Sequence, residues 1–268
     1  MGNHETTSHL SAATLASVTT RTRYTAHMFA RALLLTVVFS STASAQWLTW
    51  TDKSGNQRWN DKRNWNLLRL PTPKDVGVTI DSSRGAVLNK RAELKAFVNL
   101  GATKSGKLRI AKGGELNVKI ALSLGCRDGV EGTLVMDKGS KLLANQIYIG
   151  NGARSWGGRG RLIMNGGRIK CTYFSVLRAG ALKSRAHVTL KGGVVNCWDF
   201  MLCRDSIIPP KVDIAGGKVI QRRNDVKRIK DWIAARWLIA YGGRGKLTVK
   251  WDPPEHPGCT VVTATKPK

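Results

Sequence analysis

The chain has 268 residues and a strong excess of positive charge, with 44 lysines and arginines against 17 aspartates and glutamates and a formal net charge of +27. With 28 glycines and aromatic residues at only 7% of the chain, the composition argues against a helical bundle and favours tightly turned β-structure. The five cysteines cannot all pair within one molecule because their number is odd, and no Cys-x-x-Cys or Cys/His spacing predicts a metal site.

The beginning of the chain has the pattern of a targeting segment rather than of a folded domain. Residues 28–45 carry one basic residue, Arg31, then an apolar run over 32–39 and small residues at 43–45. This is the layout of a cleaved secretory signal peptide, and the apolar run is far shorter than the ~20 residues that span a bilayer. A retained anchor is the alternative. We therefore predict a secreted or cell-surface protein with no transmembrane segment after signal cleavage, and interpret residues 1–27 as a disordered extension or a mis-assigned start.

Four tryptophans dominate the opening segment, residues 46–75. They are separated by polar and turn-forming residues, and an alternating strand pattern follows them. Large aromatic side chains can plug the open end of a β-stack, where core and strand edge would otherwise be exposed. A platform on which sugars stack is the alternative. We favour an N-terminal cap built from Trp47, Trp50, Trp59 and Trp65.

A short phrase recurs through the region 76–220 and once beyond it. In most copies two apolar residues flank one other residue and a Gly-Gly or Gly-Ser pair follows, as in GRLIMNGG. We take the first apolar residue of each copy as its marker residue. The steps between successive marker residues are 26, 28, 26, 24 and 35. The marker residues are Leu108, Leu134, Leu162, Val188, Val212 and Leu247.

This period predicts the fold. A repeat in the twenties indicates stacked coils, because no single unit can bury its apolar face alone. Period two places both apolar side chains of a copy on one face, and the glycines suit a corner where positive φ is needed. The blades of a β-propeller need about 40 residues each, which is too long. The sequence therefore predicts an all-β protein, a single-stranded parallel β-helix (β-solenoid) of about six to seven coils.

The terminal module, residues 221–268, accounts for the long last step. Apolar residues with three- and four-residue spacing predict an amphipathic helix of about three turns, followed by the last strands. Its polar face mixes basic and acidic side chains, so we interpret it as a short C-terminal capping helix over the last coil. Docking on an anionic membrane is the alternative. The residues with this spacing are Val226, Ile229, Ile233 and Trp237.

Three parts of the chain resemble secreted β-solenoid repeat proteins of planctomycetes and related bacteria. They are the stretch WNDKRNWNLLRLPTPKDVGVTI at residues 59–80, the repeated coils, and the ending DWIAARWLIAYGG at 231–243 with GCTVVTA at 258–264. The resemblance covers most of residues 47–264. It implies an exported, extracellular or cell-surface repeat protein, in a family for which an activity is generally not established.

Two features depart from the pattern of those proteins. The helix in such endings usually closes with glycine, whereas Arg236 and Trp237 stand here. Many relatives carry a C-terminal sorting or anchoring segment beyond the last coil. This chain stops at Lys266-Pro267-Lys268 without a hydrophobic tail, so a covalent sorting anchor is not expected.

Two cysteines occupy the same register of neighbouring copies. Cys171 lies four residues after Gly167, and Cys197 lies four residues after Gly193. Stacked coils would place them about 4.8 Å apart, which falls near the lower end of the Cα separation that a disulfide accepts. A disulfide and an in-register pair of thiols are both compatible with this spacing.

The sequence offers little for catalysis. His187 and His256 are the only histidines after residue 45, and neither neighbours a serine or cysteine in a nucleophile motif. A β-helix polysaccharide lyase or hydrolase is the alternative reading, and it would need acidic residues clustered across adjacent coils. Glu115 instead aligns with Lys141 and other basic residues. We therefore predict no catalytic residues, no metal and no cofactor.

Basic residues do align between copies. They occupy the position before the marker residue and the corner after the glycines, where stacking would form positive strips that attract polyanions. We predict a non-enzymatic structural, surface or matrix protein that binds acidic glycan or another anionic envelope polymer, with nucleic acid bound only non-specifically. The alternative is that outward positions of a rod are simply polar. The predicted binding residues are Lys107, Arg161, His187, Lys211 and Lys246 before the markers, and Lys141, Arg168 and Lys218 at the corner.

Overall fold

The computed structural model describes residues 46–150, 158–177, 184–203 and 208–268. The predictions for residues 1–27 and 28–45 lie outside the described residues. Within the described part the chain is mostly β-strand, with one α-helix, α1 (Val226–Ala234), and short 3-10 turns at Lys62–Asn64 and Tyr241–Gly243.

The strands are, in chain order, β1 (Trp47–Trp50), β2 (Gly77–Ile80), β3 (Ala86–Leu88), β4 (Arg91–Leu94), β5 (Phe97–Leu100), β6 (Gly106–Ile110), β7 (Glu115–Leu124), β8 (Glu131–Met136), β9 (Lys141–Ile149), β10 (Arg159–Met164), β11 (Arg168–Val176), β12 (Arg185–Leu190), β13 (Val194–Leu202), β14 (Lys211–Ile214), β15 (Lys218–Gln221), β16 (Leu238–Ala240), β17 (Lys246–Trp251) and β18 (Thr260–Thr265).

The strands form a β-solenoid of about seven turns, which confirms the predicted fold class. One side is a seven-stranded parallel sheet in the order β16-β14-β12-β10-β8-β6-β3. We call it the marker sheet, because it holds the first five marker residues. The remaining sides belong to one long sheet in the order β1-β2-β5-β7-β9-β11-β13-β15-β18-β17, with β4 beside β7. It is parallel as far as β15, and the hairpin β17–β18 closes it in antiparallel pairing.

The core lies between the two sheets and is built from columns of stacked side chains. On the marker sheet Leu108, Leu134 and Leu162 are register partners, each at most 1% exposed, and the column continues through Val188 and Val212. Burying such a side chain contributes about 1.5–3 kcal/mol. Because each column takes one residue from every coil, the period of the sequence fixes the register of the stack.

The glycine pairs form the corners, as the sequence predicts. Gly167 has φ +83, and a Cβ atom there would lie 2.5 Å from the carbonyl oxygen of Ser140 in the coil beneath. Only glycine meets both demands. A second corner follows β5, β7, β9 and β11 of the long sheet. Glycine occupies this corner in three coils, and Leu177 occupies it in the fourth, with φ +60 and a side chain that is 1% exposed.

The N-terminal end is closed by the tryptophan cap. Trp50 and Trp59 both pack edge-to-face on Trp65, with ring centroids 5.1 Å and 4.9 Å away, and all three are buried. The same segment covers the free edge of the marker sheet, since the Trp59 N–H donates to the carbonyl oxygen of Val87 at 3.0 Å. Trp47 is the exception, because 44% of it is exposed.

The C-terminal helix is shorter than the sequence predicts. It ends at Ala234. Of the predicted apolar residues Ile229 is buried and Ile233 and Trp237 are partly buried against the core, while Trp232 is buried as well and Val226 does not belong to the core. Arg236 follows with φ +59, and its N–H and that of Trp237 donate back to carbonyls of the last helical turn at 3.0 Å and 2.9 Å. This is the Schellman arrangement that glycine usually provides, so an arginine closes the helix without changing the turn.

The sequence also predicts the wrong residue as the last marker residue. Leu238, not Leu247, pairs with Val212 in the marker sheet. Leu247 lies on β17 in the long sheet and pairs with Ala264. The helix accounts for the error. The last coil is completed by β16 directly after α1, and the last copy of the phrase follows only in β17. Among the described residues no helix is long and apolar enough to cross a membrane.

Candidate anion-binding face

The outer face of the marker sheet brings together four of the predicted basic residues. Lys107, Arg161, His187 and Lys211 stand in one row across β6, β10, β12 and β14, with Thr133 of β8 between the first two. All four are exposed, because period-two alternation turns them away from the core. The row therefore runs across five consecutive strands.

Lys246 does not join this row. It begins β17 and pairs with Thr265 in the long sheet, so the prediction that it continues the row is wrong. The reason is the same insertion that displaces Leu247. Trp237, which directly precedes Leu238, takes the position beside Lys211 that the sequence predicted for Lys246.

The corner row is in register but partly neutralised. Glu115, Lys141 and Arg168 are register partners, and the row continues through Val194 to Lys218. The Glu115 carboxylate lies 3.6 Å from the Lys141 ammonium, and Lys218 Nζ lies 3.2 Å from His256 Nε2. A hollow of about 560 Å³ adjoins Lys141 and Arg168. Fewer cations of this row than of the row on the marker sheet therefore lack a charged or polar partner among the described residues.

The structure adds two arginines that the sequence analysis missed. Arg159 and Arg185 stand two residues before Arg161 and His187, and they are direct register partners. Both are exposed on the same outer face. The signal was present in the sequence, because residues two apart on a strand share a face, but it is weak, because this position is basic in only two of the five copies.

These side chains line a continuous groove, which we call the marker groove. Its larger hollow, of about 490 Å³, is lined by Arg159, Arg161, Arg185, His187, Lys211 and the single carboxylate Glu131, among others. A second hollow of about 270 Å³ shares Arg161 and Glu131 with it and extends to Lys107. Four strand spacings separate the outermost lysines, so the marker groove is about 19 Å long.

The charges of the groove have few counter-charges. Among the ion pairs between described residues, none includes Arg159, Arg161, Arg185 or Lys211. The carboxylate of Glu131 accepts a hydrogen bond from the Thr133 hydroxyl at 3.0 Å. The positive field of these side chains is therefore largely uncompensated within the groove.

His187 responds to this field. Partial desolvation lowers the pKa of its imidazole, and Lys211 and Arg161 on the neighbouring strands lower it further, while Asp213 acts in the opposite direction. The free groove thus favours neutral His187 at neutral pH. An anion between these side chains would reverse the effect, because it stabilises the imidazolium.

Cys171 and Cys197 are neighbours, as their spacing predicts. They are register partners on β11 and β13, both buried and both present as thiols. A hydrogen bond with the Cys171 sulfur, together with burial, raises the pKa of the Cys197 thiol well above its ordinary value. A disulfide between them stays a prediction.

The described residues contain no group of three or more histidine, cysteine or acidic side chains placed to hold a metal ion. Several carboxylates make structural contacts instead. Asp137, for example, pairs with Arg109 at 2.8 Å, and Asp81 accepts backbone hydrogen bonds from Ala102 and Thr103. What the described surface offers chemically is therefore a groove of cations.

No protein-family model, no curated protein and no solved structure matches this chain. The resemblance to secreted planctomycete solenoids therefore stays an expectation from the sequence, and the marker groove is the observation on which function has to be argued.

Proposed function

We propose that the protein is a secreted, non-enzymatic surface or matrix protein that holds an anionic polymer along the marker groove. The observation that carries the proposal is the row across five strands that holds Lys107, Arg161 and Lys211 with no ion pair to a described residue, and Glu131 is the one carboxylate among the described side chains of its larger hollow. A linear acidic glycan or envelope polysaccharide fits a groove about 19 Å long, because its charges repeat along one direction as the coils do.

The arrangement has an energetic cost that supports a binding role. Arg159 faces Arg185 directly on β12, although Glu131 faces it from β8 on the other side. Like charges directly opposite on neighbouring strands destabilise a sheet, within a range of about 0.2–1 kcal/mol per pair. A surface selected only for solubility could alternate the two signs of charge, as the pair of Arg109 and Asp137 does on the same sheet face.

The proposal is tested with a charge-reversal variant. Lys107→Glu, Arg161→Glu and Lys211→Glu together should abolish binding to heparin and to polygalacturonate at low salt. Binding of the unaltered protein should fall steeply with salt, and each lost contact should lower the slope of log K against log salt by about 0.7–0.9. Isothermal titration calorimetry over a salt series gives both quantities.

A matched control reverses three exposed lysines outside the groove, Lys112→Glu, Lys138→Glu and Lys191→Glu. It changes net charge by the same amount and should retain most of the affinity. Equal loss in both triple variants would mean that only net charge matters, and the groove assignment would then be wrong. Release of unsaturated or reducing sugar ends from acidic glycans would overturn the non-enzymatic part of the proposal.

A further inference from the structure

The cations of the marker groove are not evenly distributed. Arg159 and Arg161 on β10, with Arg185 and His187 on β12, form a rectangle about 4.8 Å across the strands and about 6.7 Å along them. Lys211 extends it by one strand, next to His187. We call these five residues the arginine block. Lys107 lies two strands beyond Arg161, with Thr133 between them.

The donors of the arginine block exceed what a carboxylate can accept. Each guanidinium carries five N–H donors in a planar fork, and one fork satisfies both oxygens of a carboxylate. Three forks on neighbouring positions call for a group with more acceptors. A tetrahedral ester presents three terminal oxygens, so it can bridge Arg159 and Arg185 across one strand spacing and still accept from His187.

We infer that the arginine block is a subsite for a tetrahedral oxyanion ester, a phosphate or sulfate group carried by the bound polymer, which it prefers over a carboxylate. The inference rests on the proposed function, because it names the anionic group that the same groove selects. Lys107 and Lys211 then act as point charges that follow the polymer, whereas the forks recognise the ester.

The surroundings of His187 favour the same class of ligand. Arg161 faces it from β10 and Lys211 from β14, Arg185 shares its strand, and Asp213 is the acid that acts on it. An ester with three terminal oxygens can lie against His187 and two of these cations at once, and a phosphate ester also carries more negative charge than a carboxylate. Binding should therefore be accompanied by uptake of a proton at His187.

The test compares three polymers of matched length and matched number of anionic groups: polygalacturonate, dextran sulfate and phosphorylated dextran. Titration calorimetry of the full mature chain at one salt concentration should give at least about tenfold tighter binding to one or both ester polymers than to polygalacturonate, which is a free-energy difference of about 1.4 kcal/mol. No binding to any polymer would contradict the proposed function itself. Equal binding to all three would overturn this inference and leave the proposed function standing.

The decisive variant keeps every charge and removes only the forks. Arg159→Lys with Arg185→Lys should weaken binding to the ester polymers far more than binding to polygalacturonate, so that the preference for esters falls to less than about threefold. The control Arg127→Lys with Arg222→Lys, at exposed positions outside the groove, should keep the preference. If the first double variant also keeps it, fork geometry does not select the ligand and the inference is wrong.

The pH dependence then separates the two esters. A phosphate ester loses its second charge below about pH 6, whereas a sulfate ester keeps its charge. Affinity for a sulfated polymer should rise steadily from pH 8 to pH 5 as His187 is protonated, and affinity for a phosphorylated polymer should pass through a maximum. Either profile supports the inference, and a profile that falls from pH 8 to pH 6 for both polymers would contradict it.

Discussion

Two clusters of arginines on this solenoid have opposite surroundings. At the C-terminal end, Arg223 and Arg228 converge on the carboxylate of Asp199, at 3.0 Å and 2.8 Å, and Arg228 also lies 2.6 Å from Asp225. Asp199 is buried, and the Arg228 guanidinium lies 5.1 Å from the ring centroid of Trp232. In the arginine block, by contrast, three arginines occupy neighbouring positions on β10 and β12 and make no ion pair with a described residue.

The difference separates a structural role from the binding role that we propose for the same residue type. The Asp199 cluster connects α1 to the last full coil, and every charge in it has a partner within the chain. The marker groove, by contrast, has few counter-charges among the described residues, and like charges on neighbouring strands cost the sheet stability. This contrast supports the binding role that we propose.

The largest expected effect breaks the Asp199 cluster. Asp199→Ala leaves two guanidiniums facing each other over a buried site, and removing one member of a buried ion pair costs about 3–5 kcal/mol. The side chains of Arg223 and Arg228 are 48% and 32% exposed, so water offsets part of this and we expect a loss of about 2 kcal/mol. Urea unfolding followed by tryptophan fluorescence measures it. Glu131→Gln in the marker groove is the control, and it should lower the free energy of unfolding by no more than about 0.5 kcal/mol.

The second prediction concerns the arginine block, where we expect the opposite result, a small change in stability and a clear loss of binding. Arg161→Gln and Arg185→Gln should each leave the free energy of unfolding within about 0.5 kcal/mol of the parent or raise it slightly, because each removes like-charge repulsion. Each should nevertheless weaken polyanion binding about tenfold at low salt. A marked loss of stability in either variant would mean that the arginine block is structural, like the Asp199 cluster.

The third prediction concerns pH. His187 has a lowered pKa in the free protein, so it is neutral at pH 7, and a bound anion raises that pKa. Binding therefore takes up protons, and affinity for a sulfated polymer should increase about three- to tenfold as pH falls from 7 to 5. His187→Gln should remove most of this increase while keeping the salt dependence. An unchanged pH profile in that variant would assign the proton uptake to another group.

The smallest expected effect concerns an arginine outside both clusters, whose role is conformational. Arg236 holds φ +59 at the end of α1, and glycine adopts this conformation without the cost that a Cβ atom brings. Arg236→Gly should raise the free energy of unfolding by about 0.5 kcal/mol. The neighbouring Ala235 has ordinary helical angles, so Ala235→Gly should lower it by a similar amount. The same sign for both variants would rule out the conformational explanation.

Much of the fold follows from the sequence because a solenoid repeats one physical solution. The apolar pairs, the glycine corners and the tryptophan cap each appear in the sequence as a local pattern with a local cause. The prediction that Leu247 belongs to the marker sheet is wrong because it depends on more than a local pattern. A similar phrase that follows a helix need not return to the same sheet. The pairing of Leu238 with Val212 depends on where α1 releases the chain.

The site was predictable in part for the same reason. The row from Lys107 to Lys211 depends only on the coil period, and the structure shows it in register. Arg159 and Arg185 required a comparison two residues farther from the marker, where the copies differ more. The counter-charge Glu115 of the corner row was visible in the repeat, whereas the contact of Lys218 with His256 could not be read from one strand, because it comes from the terminal hairpin connection.

The in-register stacking of the coils has a further consequence for how such a groove changes over evolutionary time. Each coil contributes one side chain to the row and advances it by about 4.8 Å. Duplication of a single coil, an event that needs no new fold, would lengthen the groove by one position, and loss of a coil would shorten it. The length of polymer that the proposed groove would engage is thus set in discrete steps by the number of coils, while a point substitution at one outward position changes only the charge of that step.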